Sequence, residues 1–355
     1  MMSTYSHKII ILTFLAFSGL CLAYFMLFSG HPVSDVEDQS PGPVAMKDLD
    51  KPILLVWFWP FGIQIDPADC ETYFNINNCV LTGDRSLYNV SDAIIFSHKS
   101  IQWNLANMPH APRPDFQKWI WYHVESPRNT VRRAGFGGLF NLTLTYRRDA
   151  DITVRNEVSI ARTAEEFVVP RKDKMVCWIV SNMSHRTGTA TRTAYVQNLT
   201  KYINVEMYGG ASKRPLSPDE YYPTIASCKF YLAFENSLYQ DYITEKVNGP
   251  LVAGTVPVVM GPPRENYEQF FPADSFIHVD DFSDPKALAE YLLQLVLNDD
   301  MYKQYFRWRK YFKATPHLTK REQEFLQPLC EACEHIGTDN SFSVVNNLNE
   351  WQFGL

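Results

Sequence analysis

The chain has no excess of basic residues: 33 Lys and Arg stand against 39 Asp and Glu, for a formal net charge of −6. A nucleic-acid partner would require a basic face or stripe, so that class is excluded. No internal repeat is present, which excludes repeat architectures. Among seven cysteines there is a single Cys-x-x-Cys, Cys330-Glu-Ala-Cys333, and neither a second such pair nor a His-x-His cluster completes a zinc site. Low-complexity sequence is confined to a short stretch near the N-terminus. At 355 residues the chain can bury one large core or two modest ones. Its aromatic content of 14% suits sugar-stacking surfaces and equally a large core.

What is present near the N-terminus is an uncharged run of 20 residues, Ile9 to Phe28, long enough to span a bilayer. Lys8 precedes it and Asp35, Glu37 and Asp38 follow, which favours a cytoplasmic N-terminus. A cleaved signal peptide is the rival reading. The run exceeds the usual length of a signal core and no small-x-small cleavage site follows, so a type II anchor is expected. From Ser29 to about Lys51 the composition shifts to Pro, Gly, Ser, Asp and Glu, as in a flexible stem. The remainder is then expected in the secretory lumen. Six cysteines lie there, at 70, 79, 177, 228, 330 and 333, and an even number in an oxidising compartment points to three disulfides. Sequence alone leaves their connectivity open. Sequons occur at Asn89, Asn141, Asn182 and Asn198.

Beyond the stem, apolar runs bounded by polar or Pro-rich stretches read as strands: 52–59, 92–96 and 119–124 in a first unit over 52–168. A second unit opens at Lys174, with strands at 174–180, 205–208, 229–234, 255–260 and 276–279. Helices are expected at 192–202, 243–253 and, from the Ser283-Asp-Pro-Lys start, through 287–297. Strands alternating with helices argue for parallel sheets covered on both faces. In such sheets ligands bind at the carboxyl ends of strands, beside helix N-termini that attract phosphate. The stretch Phe234-Glu-Asn-Ser237, Asp241-Tyr-Ile-Thr-Glu-Lys246 and Ala253-Gly-Thr-Val-Pro-Val-Val259 has that form.

This stretch closely resembles the signature of the α1,3-fucosyltransferases, which carry fucose from GDP-fucose to N-acetylglucosamine. The resemblance spans roughly residues 52–335 and is strongest over 230–282, then 140–152. It implies an α/β GT-B fold, two Rossmann-like domains facing a cleft. The expected organisation is a cytoplasmic tail (1–8), an anchor (9–28) and a stem (29–51). An acceptor-side domain (52–168) and a GDP-fucose-binding domain (169–300) follow. A helical tail (301–355) then packs back on the first domain. Localisation would be the Golgi cisterna membrane, single-pass type II. The resemblance also implies the pairs Cys70–Cys330, Cys79–Cys333 and Cys177–Cys228.

Glycosyl transfer with inversion needs a base for the acceptor hydroxyl and cations or N–H groups for the departing diphosphate. Glu125, which follows strand 119–124 and precedes Ser126-Pro127, resembles the family's base; by position alone it reads as a surface loop residue. Lys246, at a helix start, and Arg192 match the family's diphosphate contacts. Alone, each reads as a solvated helix residue. By the same resemblance Glu245 meets the ribose hydroxyls, Tyr242 and Asn236 line the nucleotide pocket, and Ser181 and Asn182 lie nearby. Asn182 beside the donor cleft is expected to carry little or no glycan, leaving Asn89, Asn141 and Asn198 as glycosylation sites. Of the rings in Trp57-Phe-Trp-Pro-Phe61, at least two should pack in the core and the others face the acceptor.

No permanently bound cofactor or metal is expected. Asp149-Ala-Asp151 has Asp-x-Asp spacing but reads as a structured turn in the first domain, and manganese is expected at most to stimulate. The partners implied are GDP-fucose, lactosamine-type acceptors on glycoproteins or glycolipids, and the membrane; a homodimer is compatible with the sequence. Two departures from the family pattern stand near the cleft. Thr153-Val-Arg-Asn-Glu157 replaces a Pro-Tyr-Gly continuation, and Gly249-Pro250 replaces an Asn-Ala pair. Proline there should kink or shorten the helix. These departures carry the alternative reading, a weak or inactive luminal glycan- or GDP-binding protein on the same fold.

Overall fold

The structure is a computed structural model of the chain, describing residues 51–154, 159–160, 167–183, 188–320, 323, 325–339 and 341–354. The apolar run 9–28, the stem up to residue 50 and the departure over 155–157 lie outside the described residues. Among the described residues no helix is long and apolar enough to cross a membrane.

Two parallel sheets organise residues 51–354. The first comprises β1 (Ile53–Phe58), β2 (Val80–Thr82), β3 (Ala93–Ser97), β4 (Lys118–Tyr122), β5 (Leu142–Thr145) and β6 (Ile152–Thr153). Its spatial order is β2-β1-β3-β4-β5-β6 and every neighbouring pair is parallel. The second comprises β7 (Lys174–Ile179), β8 (Val205–Tyr208), β9 (Cys228–Phe234), β10 (Val256–Met260) and β11 (Ile277–His278), in the order β11-β10-β9-β7-β8. Both sheets thus wind first to one side and then to the other. Connections leave in opposite directions between β1 and β3, and again between β7 and β9. Each such reversal opens a crevice at the carboxyl ends of its two strands.

Side chains of a strand alternate between faces, and both faces of the first sheet are apolar. Leu54, Val56, Ala93, Ile95, Ile120 and Leu144 share one core; Leu55, Ile94, Phe96, Trp119 and Trp121 share the other. The expected helical crossovers are mostly absent here. α1 (Asp69–Phe74) follows β1, but the later connections contain only short 3-10 turns at 85–90, 98–100 and 127–129. The second half does alternate: α2 (Ala190–Leu199), α3 (Pro218–Ala226), α4 (Glu245–Ala253), α5 (Arg264–Tyr267) and α6 (Pro285–Leu297) intersperse its strands. Asp284 caps α6, accepting from Ala287 N at 2.9 Å, with Pro285 at the first helical position.

The tail divides differently from the expected boundary at 301. α7 (Asp299–Gln304) and the turn after it bury Tyr302, Phe306 and Trp308 in the second half. The chain returns to the first half later, through α8 (Leu326–Thr338) and α9 (Leu348–Phe353). Leu326, Leu329, Ala332 and Ile336 of α8 complete one core of the first sheet, and Leu348 of α9 joins the other. The tail therefore supplies the cover that crossover helices do not. Disulfides Cys70–Cys330 and Cys79–Cys333 bind α8 to the first half, and Cys177–Cys228 joins β7 to β9.

Two expectations are corrected here. Helix α4 runs through Pro250 to Ala253 without a break and stops at Gly254, whose φ of +73° closes it. Proline removes only the N–H that would have bonded the Lys246 carbonyl, near the helix start. Asn141 is fully buried rather than available to a glycan. Its Oδ1 accepts from Trp119 N at 2.8 Å and its Nδ2 donates to Ser343 O at 2.7 Å. Asn89, Asn182 and Asn198 are exposed.

Candidate active site

A cleft of about 840 Å³ lies between the carboxyl ends of the two sheets. The second sheet contributes its wall through the loop after β9 and the start of α4. Glu235, at the end of β9, is 2% exposed, and its Oε1 accepts from Thr244 N at 2.9 Å and Thr244 Oγ1 at 2.8 Å. A carboxylate from the strand thus caps the helix in place of the usual capping side chain. Lys246 Nζ pairs with Glu235 Oε2 at 3.1 Å and Glu245 Oε1 at 3.2 Å, and donates to Thr244 Oγ1 at 2.7 Å. Burial alone would lower the Lys246 ammonium; the Glu235 and Glu245 carboxylates outweigh it and hold its pKa above the ordinary lysine value. Loss of solvent would raise the Glu245 pKa, but the Lys246 charge prevails and holds it at about 2, although nearly half of the side chain is exposed. Burial pushes Glu235 upward against the same ammonium. A cation is therefore fixed at a helix N-terminus facing the cleft, where charge and first-turn N–H groups act together on an anion.

From the first sheet come Glu125, three residues past β4, and Tyr122, His123 and Val124. Glu125 Oε1 accepts from Lys99 Nζ at 2.8 Å, while Tyr242 Oη, from the opposite wall, stands 3.5 Å from Oε2. Tyr242 is 3% exposed, packed edge-on to Tyr146 with centroids 5.0 Å apart, and burial pushes its phenol well above the usual value. The loop after Glu125 is tied across the cleft: Ser126 Oγ donates to Ser237 Oγ at 2.8 Å, both residues buried. Asp241, with φ of +61°, accepts from Arg148 N at 3.0 Å and Asn266 Nδ2 at 2.8 Å, fixing the turn before Tyr242.

Glu125, Asn236, Tyr242, Glu245 and Lys246 are thus brought to one cleft. Arg192 is placed otherwise. It is 6% exposed, and its two terminal nitrogens donate to Phe234 O at 2.9 Å and Asn182 O at 2.8 Å. It clamps the carboxyl ends of β7 and β9 across their crevice, behind the cleft wall rather than in it. Ser181 and Asn182 lie on that rim, exposed, and outside the cleft lining. Of the aromatic motif, Phe61 lines the cleft, whereas Trp57 and Trp59 pack against the two cores. Asp149 pairs with Arg147 at 2.7 Å, and Asp151 accepts from Thr143 N at 2.7 Å, so the Asp-x-Asp pair serves its own turn. Sequence reasoning missed Glu235 and Lys99. The signal for Glu235 was available, since an acidic residue ending an apolar strand has no solvent to face.

Two doubly wound sheets meeting at a nucleotide-type cleft define the GT-B class of glycosyltransferase folds. A family model described as glycosyltransferase family 10 (fucosyltransferase), C-terminal, matches residues 169–351, and one described as fucosyltransferase, N-terminal, matches 49–157. The 4-galactosyl-N-acetylglucosaminide 3-alpha-L-fucosyltransferase 9 of Bos taurus is 42% identical over 352 residues, covering 97% of this chain and 96% of its own. The alpha-(1,3)-fucosyltransferase 7 of Homo sapiens is 38% identical over 301 residues, covering 84% and 85%. A crystal structure of an alpha1,3-fucosyltransferase with GDP-fucose superposes with a TM-score of 0.53 at 15% identity, over 82% of this chain and 91% of that one, a likeness of fold. The chain belongs to glycosyltransferase family 10, the fucosyltransferases.

Proposed function

We propose that the protein transfers fucose from GDP-fucose to O3 of N-acetylglucosamine in lactosamine-type glycans, with inversion at the anomeric carbon. The observation that carries this reading is the approach of Glu125 and Tyr242 across the cleft, with the Lys246 helix start on the same wall as Tyr242. Glu125 takes the proton of the acceptor hydroxyl as its oxygen attacks the anomeric carbon. The bond from that carbon to the β-phosphate oxygen breaks, and the electron pair leaves on GDP. Lys246 and the α4 N-terminus hold the growing charge. Arg192 adds positive potential from behind the crevice. Glu245, nearly half exposed on the cleft wall, is available to the ribose hydroxyls.

The alternative binding-protein reading drew on Gly249-Pro250, and α4 continues through that pair. For the whole chain we propose a type II Golgi protein anchored by residues 9–28, acting on glycoprotein or glycolipid acceptors. Manganese would act as a stimulant without a dedicated site.

The test is the detergent-solubilised full chain offered GDP-fucose and other sugar nucleotides, with lactosamine and sialyl-lactosamine as acceptors and linkage mapping of products. Fucose on O3 of N-acetylglucosamine is expected, and Glu125→Gln should lose about a hundredfold or more in rate while binding GDP normally. Full transfer by that variant would remove Glu125 from the chemistry.

A further inference from the structure

We propose that Lys99 is the positioning residue for the Glu125 carboxylate, held at its post by the ring of Phe61. The inference rests on Glu125 being the base. Lys99 Nζ engages Oε1 at 2.8 Å, and Oε2 is left facing the cleft, with Tyr242 Oη at 3.5 Å, beyond a well-formed O–H···O bond. One carboxylate oxygen is tied and the other is open to a proton. An unrestrained carboxylate on a glutamate side chain would present both oxygens in many directions.

A lysine with four rotatable bonds is a poor anchor unless something fixes it, and Phe61 does so. The Lys99 ammonium sits 4.6 Å from the Phe61 ring centroid, within cation–π range. The ring itself stacks on Phe325 with centroids 5.0 Å apart and planes 27° apart. Phe325 directly precedes α8, which the two long-range disulfides bind to the first half. Phe61 also adopts φ of +53°, a left-handed conformation unfavourable for an aromatic residue, and remains 56% exposed. Backbone strain of this kind persists where the surroundings hold it, and it gathers at functional sites.

Topology agrees. Phe61 and Lys99 follow β1 and β3, the two strands between which the first sheet reverses. In the second sheet the equivalent crevice is clamped by Arg192; in the first, a cation is directed onto the carboxylate that follows the next strand.

The other groups facing Glu125 do not replace Lys99. Tyr242 approaches from the loop before α4 as a neutral phenol. His123, directly after β4, and His98 behind it are buried imidazoles that burial keeps neutral. Gln352 of α9 meets only the Glu125 backbone carbonyl, at 3.5 Å. Lys99 neither gives nor takes a proton: the acceptor's proton passes to Oε2, and the leaving electron pair goes to GDP.

The experiment compares the full chain with Lys99→Gln, Lys99→Arg, Phe61→Ala and Glu125→Gln, measuring GDP affinity and, separately, kcat and KM for the acceptor. Lys99→Gln should keep GDP affinity and acceptor KM within about twofold and lose about tenfold or more in kcat. Lys99→Arg should restore kcat, and Phe61→Ala should show a smaller loss in the same direction. A kcat that stays at the wild-type value in Lys99→Gln overturns the proposal. If Lys99→Gln fails to bind GDP, Phe61→Ala decides, and an unchanged kcat there overturns it. Full transfer by Glu125→Gln is a separate outcome that strikes the base itself; an inactive Glu125→Gln beside an unchanged kcat in Lys99→Gln strikes Lys99 alone.

Discussion

Glu235 and Lys246 form an ion pair of 3.1 Å in which the carboxylate side chain is 1% exposed and the ammonium faces the cleft. The pair lies at the junction of β9 and α4, so the same two charges fix a helix start and present a cation. Removing one partner of such a pair leaves the other uncompensated, typically at a cost of about 3–5 kcal/mol. Glu235→Ala should therefore lower the melting temperature and weaken GDP binding together. Glu235→Gln, which keeps an acceptor for Thr244, should retain more stability and still lose GDP affinity by about tenfold, because Lys246 is no longer held in place. Calorimetric GDP titration beside thermal unfolding checks this, and wild-type affinity in Glu235→Gln would contradict it.

The two disulfides to α8 should not act additively. Cys70–Cys330 closes a loop with a sequence separation of 260, and Cys79–Cys333 closes nearly the same loop. With one bond in place, the other adds only a small ring. By the chain-entropy relation, losing either pair costs about 3 kcal/mol, whereas losing both costs roughly 8 kcal/mol. Paired Cys→Ser substitutions followed by denaturant unfolding test the prediction, and equal, additive losses would count against it.

His98 and His123 should make the protein acid-sensitive above the carboxylate range. Trp121 Nε1–H donates to His98 Nδ1 at 3.1 Å, and His98 Nε2 meets Val131 O at 2.9 Å, a pattern only the neutral imidazole satisfies. Burial lowers His98 to about 4 and His123 well below its ordinary value. Because both folded values are depressed, the unfolded chain takes up protons first as pH falls through 6.5. Stability is full above that value and declines toward the folded value, by roughly 2 kcal/mol for His98 at pH 5. Melting temperatures between pH 7 and 5 should fall, and more shallowly in His98→Gln. Identical slopes would refute the assignment.

Gly249 has a local reason to lack a side chain. A Cβ there would lie 2.6 Å from the Tyr221 hydroxyl, which lines the cleft wall. Gly249→Ala should displace Tyr221 and weaken donor binding several-fold, by the strain of overpacking. Adding Tyr221→Phe removes the atom in conflict and should recover part of the loss. No recovery in the double variant would show that the glycine acts otherwise.

The second half was the more legible part of the sequence. Its central strands contain unbroken apolar runs, at 175–179, 230–234 and 256–260, and α6 carries an ordinary start signal at Asp284-Pro285. The first half hid β2 and β6, which span three and two residues. It also hid β5, Leu-Thr-Leu-Thr, whose alternation suggests one wet face although Thr143 and Thr145 are both buried. Lys246 and Glu245 stood out only through the family resemblance, since a lysine at a helix start reads by itself as a solvated residue. The burial of Arg192 was not legible because its partners are backbone carbonyls, which leave no trace in side-chain pattern. Asn141 was misread for a similar reason: a sequon says nothing of burial.

The tail's cover over both faces of the first sheet sets an order of assembly. Residues 174–313 hold all the strands and helices of the second half, so that half can close while synthesis continues. The first half, although made earlier, lacks its lid and the partners of Cys70 and Cys79 until α8 and α9 emerge. The portion of the chain made first is the last to become solvent-tight, and its two long-range disulfides can close only once α8 has arrived.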